Sequence, residues 1–232
     1  MRMLVPPDTW QSTGLYASAG SVITIEVPEN SGQLDIQVGA HTDKLGHLLS
    51  WERAPIVALR DSLKPGVNQI SSPFGGLIYL IPTRSEKAKT ETVTISGAIR
   101  APYFILGETD IDKWNETIKH YPAPWAELRG EQVIHTLPSS IIKELDRPDQ
   151  VMQKWDDMVE QYNKLVGLTQ DGSLPHRSPD RPHRYTADIQ ISAGYMHAGY
   201  PIMIPIIPQL PRRLTSLKFN PLKVGILARD GS

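Results

Sequence analysis

Apolar and polar residues alternate with period two through much of the first hundred residues, and this pattern constrains the fold more than any other feature. The runs SVITIEV (21–27) and QLDIQVGA (33–40) both alternate, and the turn signal PENSG separates them. Two such runs are typical of an antiparallel strand pair. GGLIYLIP (75–82) is nearly all apolar, as expected for a strand buried on both faces. The short strands and their Gly, Pro and Asn turns therefore predict an antiparallel β-sandwich over residues 1–106.

Helical spacing replaces the strand pattern near Thr109. The run TDIDKWNETIKHY begins with a capping-type Thr–Asp pair. Pro148 is expected to begin a second, amphipathic helix. Its apolar stripe comprises Val151, Trp155, Met158, Val159, Tyr162 and Val166. Alternation returns in YTADIQISAGYMHAGYPIM (185–203), so the chain is predicted to be α+β, with an α/β portion over residues 107–203.

Charge and cysteine content exclude several classes of function. Lys and Arg number 24 and Asp and Glu 25, so the net charge of -1 gives no general electrostatic basis for binding nucleic acid. The chain contains no cysteine, which excludes disulfides and thiolate zinc sites. No run approaches the roughly 18–20 apolar residues of a membrane helix. The opening MRMLVPPDTW has too short an apolar run for a signal peptide. We therefore expect neither a nucleic-acid partner nor a membrane-spanning segment.

Three short motifs are candidates for a functional site. GAHTD (39–43) offers one histidine and one aspartate, too few for a metal site, and is interpreted as a loop whose Asp43 bonds its own backbone. SPFGG (72–76) lacks the lysine and the helix of a phosphate loop, so its glycines indicate close backbone packing. YPAPWAEL (121–128) carries aromatics that either stack on sugars or peptides or pack in the core. None of these patterns alone identifies a catalytic centre.

A resemblance to a known family covers most of the chain. The segments TGLYASAGSVITIEVP, QVGAHTDKL, SPFGGLIYL, IRAPYFILGETDIDKW, YPAPWAEL, HTLPSS and ADIQISAGYMHAGYPIM follow one another in order. Together they closely resemble the peptidase M60-like domain of enhancin-type zinc metallopeptidases, from about Trp10 to Met203. The resemblance implies a β-sandwich followed by the incomplete N-terminal part of a gluzincin-like α/β catalytic domain. It also implies an extracellular or cell-surface protein that acts on mucins and other glycoproteins, with zinc as the cofactor.

The zinc-binding motif of that family does not occur in this sequence. Family members hold zinc with the two histidines of HExxH and a later glutamate, whereas none of the seven histidines here lies in an HExxH. No catalytic residue and no metal ligand can therefore be assigned. The chain as given is expected to bind no zinc and to hydrolyse no peptide, because it lacks the ligands of a Lewis-acidic metal.

The last segment, residues 204–232, is rich in proline and basic residues, has no clear period, and is interpreted as an atypical tail. Its string VGILARDGS can be encoded so that a shift of one base reads Trp-Gly-Tyr-Trp-His-Glu-Met-Gly, which would begin an HExxH motif. A frameshift is the favoured interpretation, and a divergent or spliced carboxyl terminus is the alternative. On this hypothesis residues after about Met203 lack stable secondary structure or dock only loosely, since their prolines oppose a helix or a central strand.

The segment just before that tail supplies the candidate binding residues. The resemblance implies that residues 187–203 border the substrate cleft, where an edge strand can pair with an extended peptide and aromatic rings can meet glycans. Tyr195, His197 and Tyr200 are the candidates for lining the cleft, and the alternative is that they only pack beneath the rest of the domain. Two functions follow from these observations. The chain is either part of a zinc metallopeptidase domain that acts on glycoproteins such as mucins, or a non-catalytic module that binds glycans or proteins.

Overall fold

The computed structural model describes residues 8–83 and 92–206. Within these ranges the chain forms thirteen strands and three α-helices. The strands are β1 (Gln11–Ala17), β2 (Val22–Val27), β3 (Leu34–Val38), β4 (Leu59–Leu63), β5 (Gly66–Ser71), β6 (Gly76–Pro82), β7 (Thr94–Ser96), β8 (Ile99–Arg100), β9 (Tyr103–Ile105), β10 (Trp125–Arg129), β11 (Val133–Pro138), β12 (His183–Asp188) and β13 (Ile202–Pro205). The helices are α1 (Ile111–Glu116), α2 (Ser139–Ile142) and α3 (Pro148–Val166), and a 3-10 turn follows α1 at Ile118–His120.

The first eight strands form the β-sandwich that the alternation predicts. One sheet has the order β4-β3-β6-β1-β8 and the other β5-β2-β7, and their strand pairs are antiparallel. Alternate residues of β2 (Ile23, Ile25, Val27) are buried in one core with Ile36 and Ile78 of the facing sheet. β6 lies in the middle of its sheet and is mostly buried, as its apolar composition predicts. The prediction of an antiparallel β-sandwich is therefore confirmed.

The double glycine of SPFGG lies where backbone segments of the sandwich approach most closely. Gly75 and Gly76 have φ angles of 67° and 151°. A Cβ on Gly76 would lie 2.4 Å from the backbone nitrogen of Gly39, and a Cβ on Gly75 would lie 2.5 Å from the carbonyl oxygen of Ala17. Both distances are far below van der Waals contact, so only glycine fits these positions. The interpretation of this motif as a close-packing element is confirmed.

The remaining strands form a mixed sheet of order β13-β12-β11-β10-β9. β10 and β11 are antiparallel, β9 is parallel to β10, and β11, β12 and β13 are parallel to one another. The helices cover one face of this sheet, and Trp114 and Met152 from the helices are buried with Phe104, Leu128 and Ala187 from the strands. This α/β portion follows the sandwich, so the predicted α+β class is confirmed.

The helix boundaries follow the capping signals in the sequence. Asp110 caps α1, since its side chain accepts a hydrogen bond from the backbone N–H of Lys113 at 2.8 Å. Pro148 is the first residue of α3, as predicted, and Gly167 ends the helix in the left-handed conformation. Each end is therefore fixed by a residue suited to that position.

The apolar stripe of α3 is buried in its first half alone. Val151 is fully buried and Trp155 is half-buried against the sheet. Tyr162, Leu165 and Val166 are 61%, 83% and 43% exposed. The stripe predicts the helix correctly, and Val159 still packs against the core, but α3 extends past the sheet from Tyr162 onward.

The change from sandwich to mixed sheet occurs before the boundary drawn at residue 106. β8 pairs with β1 of the sandwich, whereas β9 pairs with β10 of the mixed sheet. The structural division therefore lies between Arg100 and Tyr103. A boundary after residue 106 would assign β9 to the wrong sheet, because the alternation of a three-residue strand does not reveal its partner.

The start of the tail also differs from the prediction. Ile204 is 4% exposed and belongs to β13, and Ile206 packs against the same core and donates its backbone N–H to the carbonyl of Asp188 at 2.7 Å. The prediction that residues after Met203 lack secondary structure is therefore wrong for Ile204 and Pro205. The prolines are tolerated because β13 is an edge strand. Residues 207–232 lie outside the described part of the chain.

The sandwich covers the second face of the mixed sheet, and polar pairs mark this contact. Tyr185 and Ala187 of β12 face the helices, while the alternate residues Arg184, Thr186 and Asp188 are buried on the other face. Arg184 forms an ion pair with the buried carboxylate of Glu127. Burial is the largest influence and alone would lower the pKa of Arg184, but Glu127, Tyr79 and Tyr200 together outweigh it and raise the pKa. This pair lies within the mixed sheet and is hydrogen-bonded to the sandwich, since Glu127 accepts from the hydroxyl of Tyr79 on β6 at 2.9 Å and Arg184 donates to Oγ of Ser12 on β1 at 3.0 Å.

Candidate functional site

The loop that follows β12, residues 189–201, is anchored on the sandwich. It faces the sandwich loop of residues 39–57, which leads from β3 toward β4. The side-chain nitrogen of Gln190 donates to the carbonyl of Ser50 at 2.9 Å, and its oxygen accepts from the backbone N–H of Glu52 at 2.7 Å. One glutamine side chain therefore joins two loops that are about 140 residues apart in sequence.

A buried ion pair fixes the start of loop 189–201. Arg53 donates from Nε to Oδ1 of Asp188 at 3.0 Å and from Nη2 to Oδ2 at 2.7 Å. The side chains are 10% and 2% exposed. The remaining donors of Arg53 bind the carbonyls of Ala54 and Asp43, so the guanidinium is well satisfied within the protein. A bidentate pair of this kind has a defined geometry, and removing one partner of a buried pair typically costs about 3–5 kcal/mol.

The middle of the loop is held by the carboxylate of Asp43, which is 8% exposed. Asp43 accepts hydrogen bonds from the backbone N–H of Ser192 at 2.6 Å and from Nε2 of His197 at 2.8 Å. Burial alone would raise the pKa of Asp43, but the hydrogen bonds from His197 and Ser192 outweigh it and lower the pKa. The predicted loop is present, but the prediction that Asp43 bonds its own backbone is wrong, because partners 149 and 154 residues away occupy the carboxylate.

Two acceptors favour the protonated form of His197. Its Nε2 faces the carboxylate of Asp43, and its Nδ1 donates to the carbonyl of Ala198 at 3.3 Å. The hydrogen bond to Asp43 is the main cause that raises the pKa of His197. The hydroxyl of Ser192 also lies 3.2 Å from Nε2. Because Asp43 already occupies that nitrogen, His197 has no free lone pair there with which to activate Ser192, and these three residues do not form a hydrolytic triad.

The three predicted cleft residues do not form one cluster. Tyr195 is 53% exposed at the outer part of the loop, next to Met196 at 52%. His197 lies against the sandwich through Asp43. Tyr200 packs edge-on against Trp10, with ring centroids 5.6 Å apart. Tyr195 is thus the one of the three that presents most of its ring to solvent.

Tyr200 is also contacted from the side of the polar loop that precedes β12. The guanidinium of Arg181 lies 4.0 Å from the centre of the Tyr200 ring. Such a contact between a cation and an aromatic face contributes about 0.5–1 kcal/mol at an exposed site. Tyr200 is therefore held on both sides, and its role in the described structure is to pack the loop against the body of the molecule.

Strand β13 offers limited hydrogen bonding along its outer edge. Residues with even numbers pair with β12, since Ile206 donates its N–H to Asp188. The odd-numbered residues Pro201, Met203 and Pro205 therefore face outward, and the two prolines have no N–H to donate. The carbonyl of Met203 accepts from the N–H of His197 at 3.4 Å. The N–H of Met203 is consequently the one outward backbone donor along residues 201–205.

The residues that the structure describes do not fit a zinc site. No group of three or more His, Cys, Asp or Glu side chains comes together in residues 8–83 and 92–206. Asp43 and His197 lie within hydrogen-bond distance, but each already binds the other. Structural and catalytic zinc sites need at least three protein ligands. We therefore assign these residues no role in a metal-dependent chemical step.

His41 is a site residue whose position the sequence motif does not reveal. Its Nε2 donates to the carbonyl of Ala187 at 3.0 Å, and its ring lies edge-on to Trp125 with centroids 4.2 Å apart. Burial is the largest cause that lowers the pKa of His41. Trp125 of YPAPWAEL is half-buried beside the sandwich loop, so the packing alternative applies to it in part, and stacking on sugars or peptides stays a prediction. The signal available in the sequence was the pairing of one His with one Asp in GAHTD, without any indication of their distant partners.

Comparisons with known proteins agree with the resemblance seen in the sequence. The family model for peptidase M60, enhancin and enhancin-like proteins matches residues 97–221, and the model for the N-terminal domain of M60-like peptidases matches residues 1–96. The first match extends into the segment interpreted as an atypical tail. The junction between the two matches lies close to the structural division between β8 and β9.

Individual relatives fall into two groups. TRPM8 channel-associated factor 1 of Bos taurus is 41% identical over 197 residues, which is 84% of this chain and 20% of the relative. A structure from Bacillus anthracis, described as a functionally unknown conserved protein mutant, has a TM-score of 0.70 at 23% identity over 92% of this chain and 42% of its own. The M60 catalytic domain of ZmpC from Clostridium perfringens, solved in complex with the sialyl T antigen, has a TM-score of 0.69 at 20% identity over 92% of this chain and 46% of its own.

The chain spans about a fifth of the length of the curated relatives it matches and less than half of the solved chains. At these identities the solved structures show the shared fold. Among the residues that are described, no helix is both long enough and apolar enough to cross a membrane.

Proposed function

The chain belongs to the family of peptidase M60, enhancin and enhancin-like proteins, and from this premise we propose that it forms the part of an M60-like domain that receives a glycoprotein. Loop 189–201 borders the proposed binding surface, and Tyr195, His197 and Tyr200 are the residues proposed to line or support it. Glycoproteins such as mucins are the proposed partners. The exterior or the surface of the cell is the proposed place of action.

One observation carries this proposal, namely that loop 189–201 is both firmly anchored and strongly exposed. Gln190, Ser192 and His197 bind it to the sandwich. Tyr195 and Met196 nevertheless expose about half of their surface. A ring on an anchored loop loses little conformational entropy on binding, and its apolar face suits stacking on a sugar or a peptide.

The proposal assigns no peptide hydrolysis to the chain as given. Zinc is the cofactor implied for the intact family, but the described residues do not offer a ligand set, and the sequence contains no HExxH. The proposal therefore concerns binding by this chain, in which the residues of the loop hold a glycoprotein. Cleavage would need metal ligands that none of these residues provides.

Binding to an immobilised mucin tests the proposal. Tyr195→Ala is expected to weaken binding of the full chain by about tenfold, which corresponds to roughly 1.4 kcal/mol for the loss of an aromatic contact. Tyr162→Ala is the matched control, since Tyr162 is similarly exposed, at 61%, but lies on α3. Equal binding by both variants and the unchanged chain would contradict the assignment of the loop, and absence of binding by the unchanged chain would contradict the partner.

A second function is favoured by the identity of the curated relatives. The relative at 41% identity is named a TRPM8 channel-associated factor, which favours a non-catalytic module that binds a protein. Removal of the O-glycans from the mucin separates the two functions. Loss of binding supports recognition of glycans, whereas unchanged binding, together with co-precipitation of a TRPM8 channel, supports recognition of a protein.

A further inference from the structure

A cleft of about 180 Å³ lies where the sandwich meets the mixed sheet. The residues that line it are Tyr16, Gly39, Ala40, His41, Arg53, Val57, Phe74, Gly75, Gly76, Leu77, Trp125, Asp188 and Ile189. They come from both halves of the molecule, so the cleft exists only when the two halves are packed together. None of Tyr195, His197 and Tyr200 lines it, but Ile189 at the start of loop 189–201 does, so the cleft adjoins the surface in the proposed function without including its three assigned residues.

The size and walls of this cleft fit one ring-sized apolar group. A cavity of about 150 Å³ lined by apolar side chains accepts benzene. Here Val57, Leu77 and Trp125 provide apolar and aromatic walls. Phe74 and Ile189 also line the cleft and are each 48% exposed, so the apolar surface continues outward from it. Exposed apolar surface beside a pocket is a common mark of a contact with another macromolecule.

Two polar atoms in the cleft have no partner among the described residues. His41 uses Nε2 to bind Ala187, and no hydrogen bond to Nδ1 from residues 8–83 or 92–206 is found. The hydroxyl of Tyr16 likewise makes no hydrogen bond with these residues, and it lies 3.1 Å from the position of a Cβ on Gly75. Because burial lowers the pKa of His41, its Nδ1 is a neutral acceptor, while the Tyr16 hydroxyl can donate. An amide offers both complementary groups.

The charged side chains that line the cleft do not favour a charged ligand. Arg53 and Asp188 neutralise each other in the bidentate pair. Moving an additional charge into this site would carry a desolvation cost without a free partner to offset it. The electrostatics therefore favour an uncharged group.

From this geometry we propose that the cleft binds an uncharged aromatic or branched apolar side chain of a peptide segment in a partner protein. The side chain fills the space between Val57, Leu77 and Trp125. The peptide amide next to it donates to Nδ1 of His41 and accepts from the hydroxyl of Tyr16. The flanking residues of the peptide lie over Phe74 and Ile189.

Backbone amide shifts in NMR spectra of the isotopically labelled full chain test this proposal. The probes are acetyl-Gly-Gly-Phe-Gly-Gly-amide, the same peptide with Glu in place of Phe, and acetyl-phenylalanine amide alone. The Phe peptide is expected to shift Gly75, Gly76 and Ile189. It should bind at least about threefold more tightly than the single capped residue, because it alone reaches the exposed rim. The Glu peptide is expected to bind at least about tenfold more weakly.

Paired tryptophan variants show whether the cleft itself is responsible. Val57→Trp fills the cleft and is expected to reduce binding of the Phe peptide at least about tenfold. Val67→Trp is the control, since Val67 is 70% exposed on the sandwich and does not line the cleft. A thermal midpoint close to that of the unchanged chain establishes that each variant is folded.

Several results would overturn this assignment. Absence of binding, shifts that fall outside the cleft, or full binding by Val57→Trp would show that the cleft is not the binding site. Equal affinity of the Phe and Glu peptides would remove the preference for an uncharged group. Equal affinity of the peptide and the single capped residue would show a site for a free small molecule instead of a peptide segment. Loss of mucin binding by Tyr195→Ala leaves all these outcomes unaffected, so the two proposals fail or succeed separately.

Discussion

Acidification should destabilise this protein through one buried histidine, His135. Its side chain is fully buried in β11, and both ring nitrogens lack a hydrogen-bond partner among the described residues. Trp155 and Tyr185 surround the ring, with centroid distances of 4.7 Å and 5.5 Å. Burial lowers the pKa of His135 from 6.5 to about 3, because a charged imidazolium in this position would lose its hydration without gaining a partner.

The sign and the size of the effect follow from that difference in pKa. Between pH 6.5 and pH 3 the unfolded state binds a proton that the folded state does not, so stability is fully present above pH 6.5 and falls as the pH decreases. Each pH unit in this window costs about 1.4 kcal/mol. At pH 5, which lies well above the folded-state pKa, His135 should therefore destabilise the protein by about 2 kcal/mol relative to pH 7.

The substitution His135→Leu isolates this contribution. Leu keeps an apolar side chain of similar size and cannot be protonated, so the variant should gain about 2 kcal/mol relative to the unchanged chain between pH 7 and pH 5. Urea unfolding followed by tryptophan fluorescence at pH 7, 6 and 5 gives the free energies of unfolding. His176→Leu is the control, since it makes the same replacement at an exposed histidine. A difference between His135→Leu and the unchanged chain that stays constant with pH would refute the reasoning.

Three further predictions concern a buried ion pair, a close backbone contact and the contact that anchors loop 189–201. Arg184→Met leaves its buried carboxylate partner unpaired, and should lower the free energy of unfolding by about 3–5 kcal/mol; a loss below 1 kcal/mol would show that the pair is solvated. Gly76→Ala places a Cβ against backbone atoms and should lower the free energy of unfolding by at least about 3 kcal/mol. In the same urea assay Gly20→Ala, whose Cβ meets open space at a φ of 73°, should lower it by about 1–2 kcal/mol. Asp43→Asn replaces the carboxylate that raises the pKa of His197 with a neutral amide. NMR titration of the His197 ring should then show a lower pKa, and an unchanged value would mean that the contact is absent in solution.

The sequence predicts the elements of this fold well, because their signals are local. The alternation in β2 places Ile23, Ile25 and Val27 in one core, and the observed strand does so. Asp110 and Pro148 mark helix starts that the structure reproduces. In each case the residue that predicts the element and the backbone that it affects lie within a few positions of each other in the sequence.

The contacts between the two halves were not predictable in this way. The alternation in β12 does not indicate what covers its polar residues, and Arg184 and Asp188 are buried by the sandwich. Their partners, Glu127 and Arg53, look like ordinary surface residues in the sequence. Charged residues of this kind are buried because of pairing across a large separation in sequence, which a pattern of local periodicity cannot show.

The candidate site illustrates the same limit. Tyr195, His197 and Tyr200 were assigned from the resemblance as a group, but the structure gives them different surroundings. Asp43 was expected to bond locally, as aspartates in loops often do. Its carboxylate instead binds Ser192 and His197 of loop 189–201, because a buried carboxylate is stabilised more by two donors than by a solvated turn.

Hydrogen–deuterium exchange of the full chain, with and without a mucin glycopeptide, shows directly whether loop 189–201 receives a glycoprotein. Bound glycopeptide is expected to slow exchange in peptides covering residues 189–201, where Tyr195 presents its ring, and to leave exchange in α3 unchanged. Unchanged exchange in residues 189–201 under saturating glycopeptide, or protection confined to another part of the surface, would contradict the claim that this loop receives a glycoprotein.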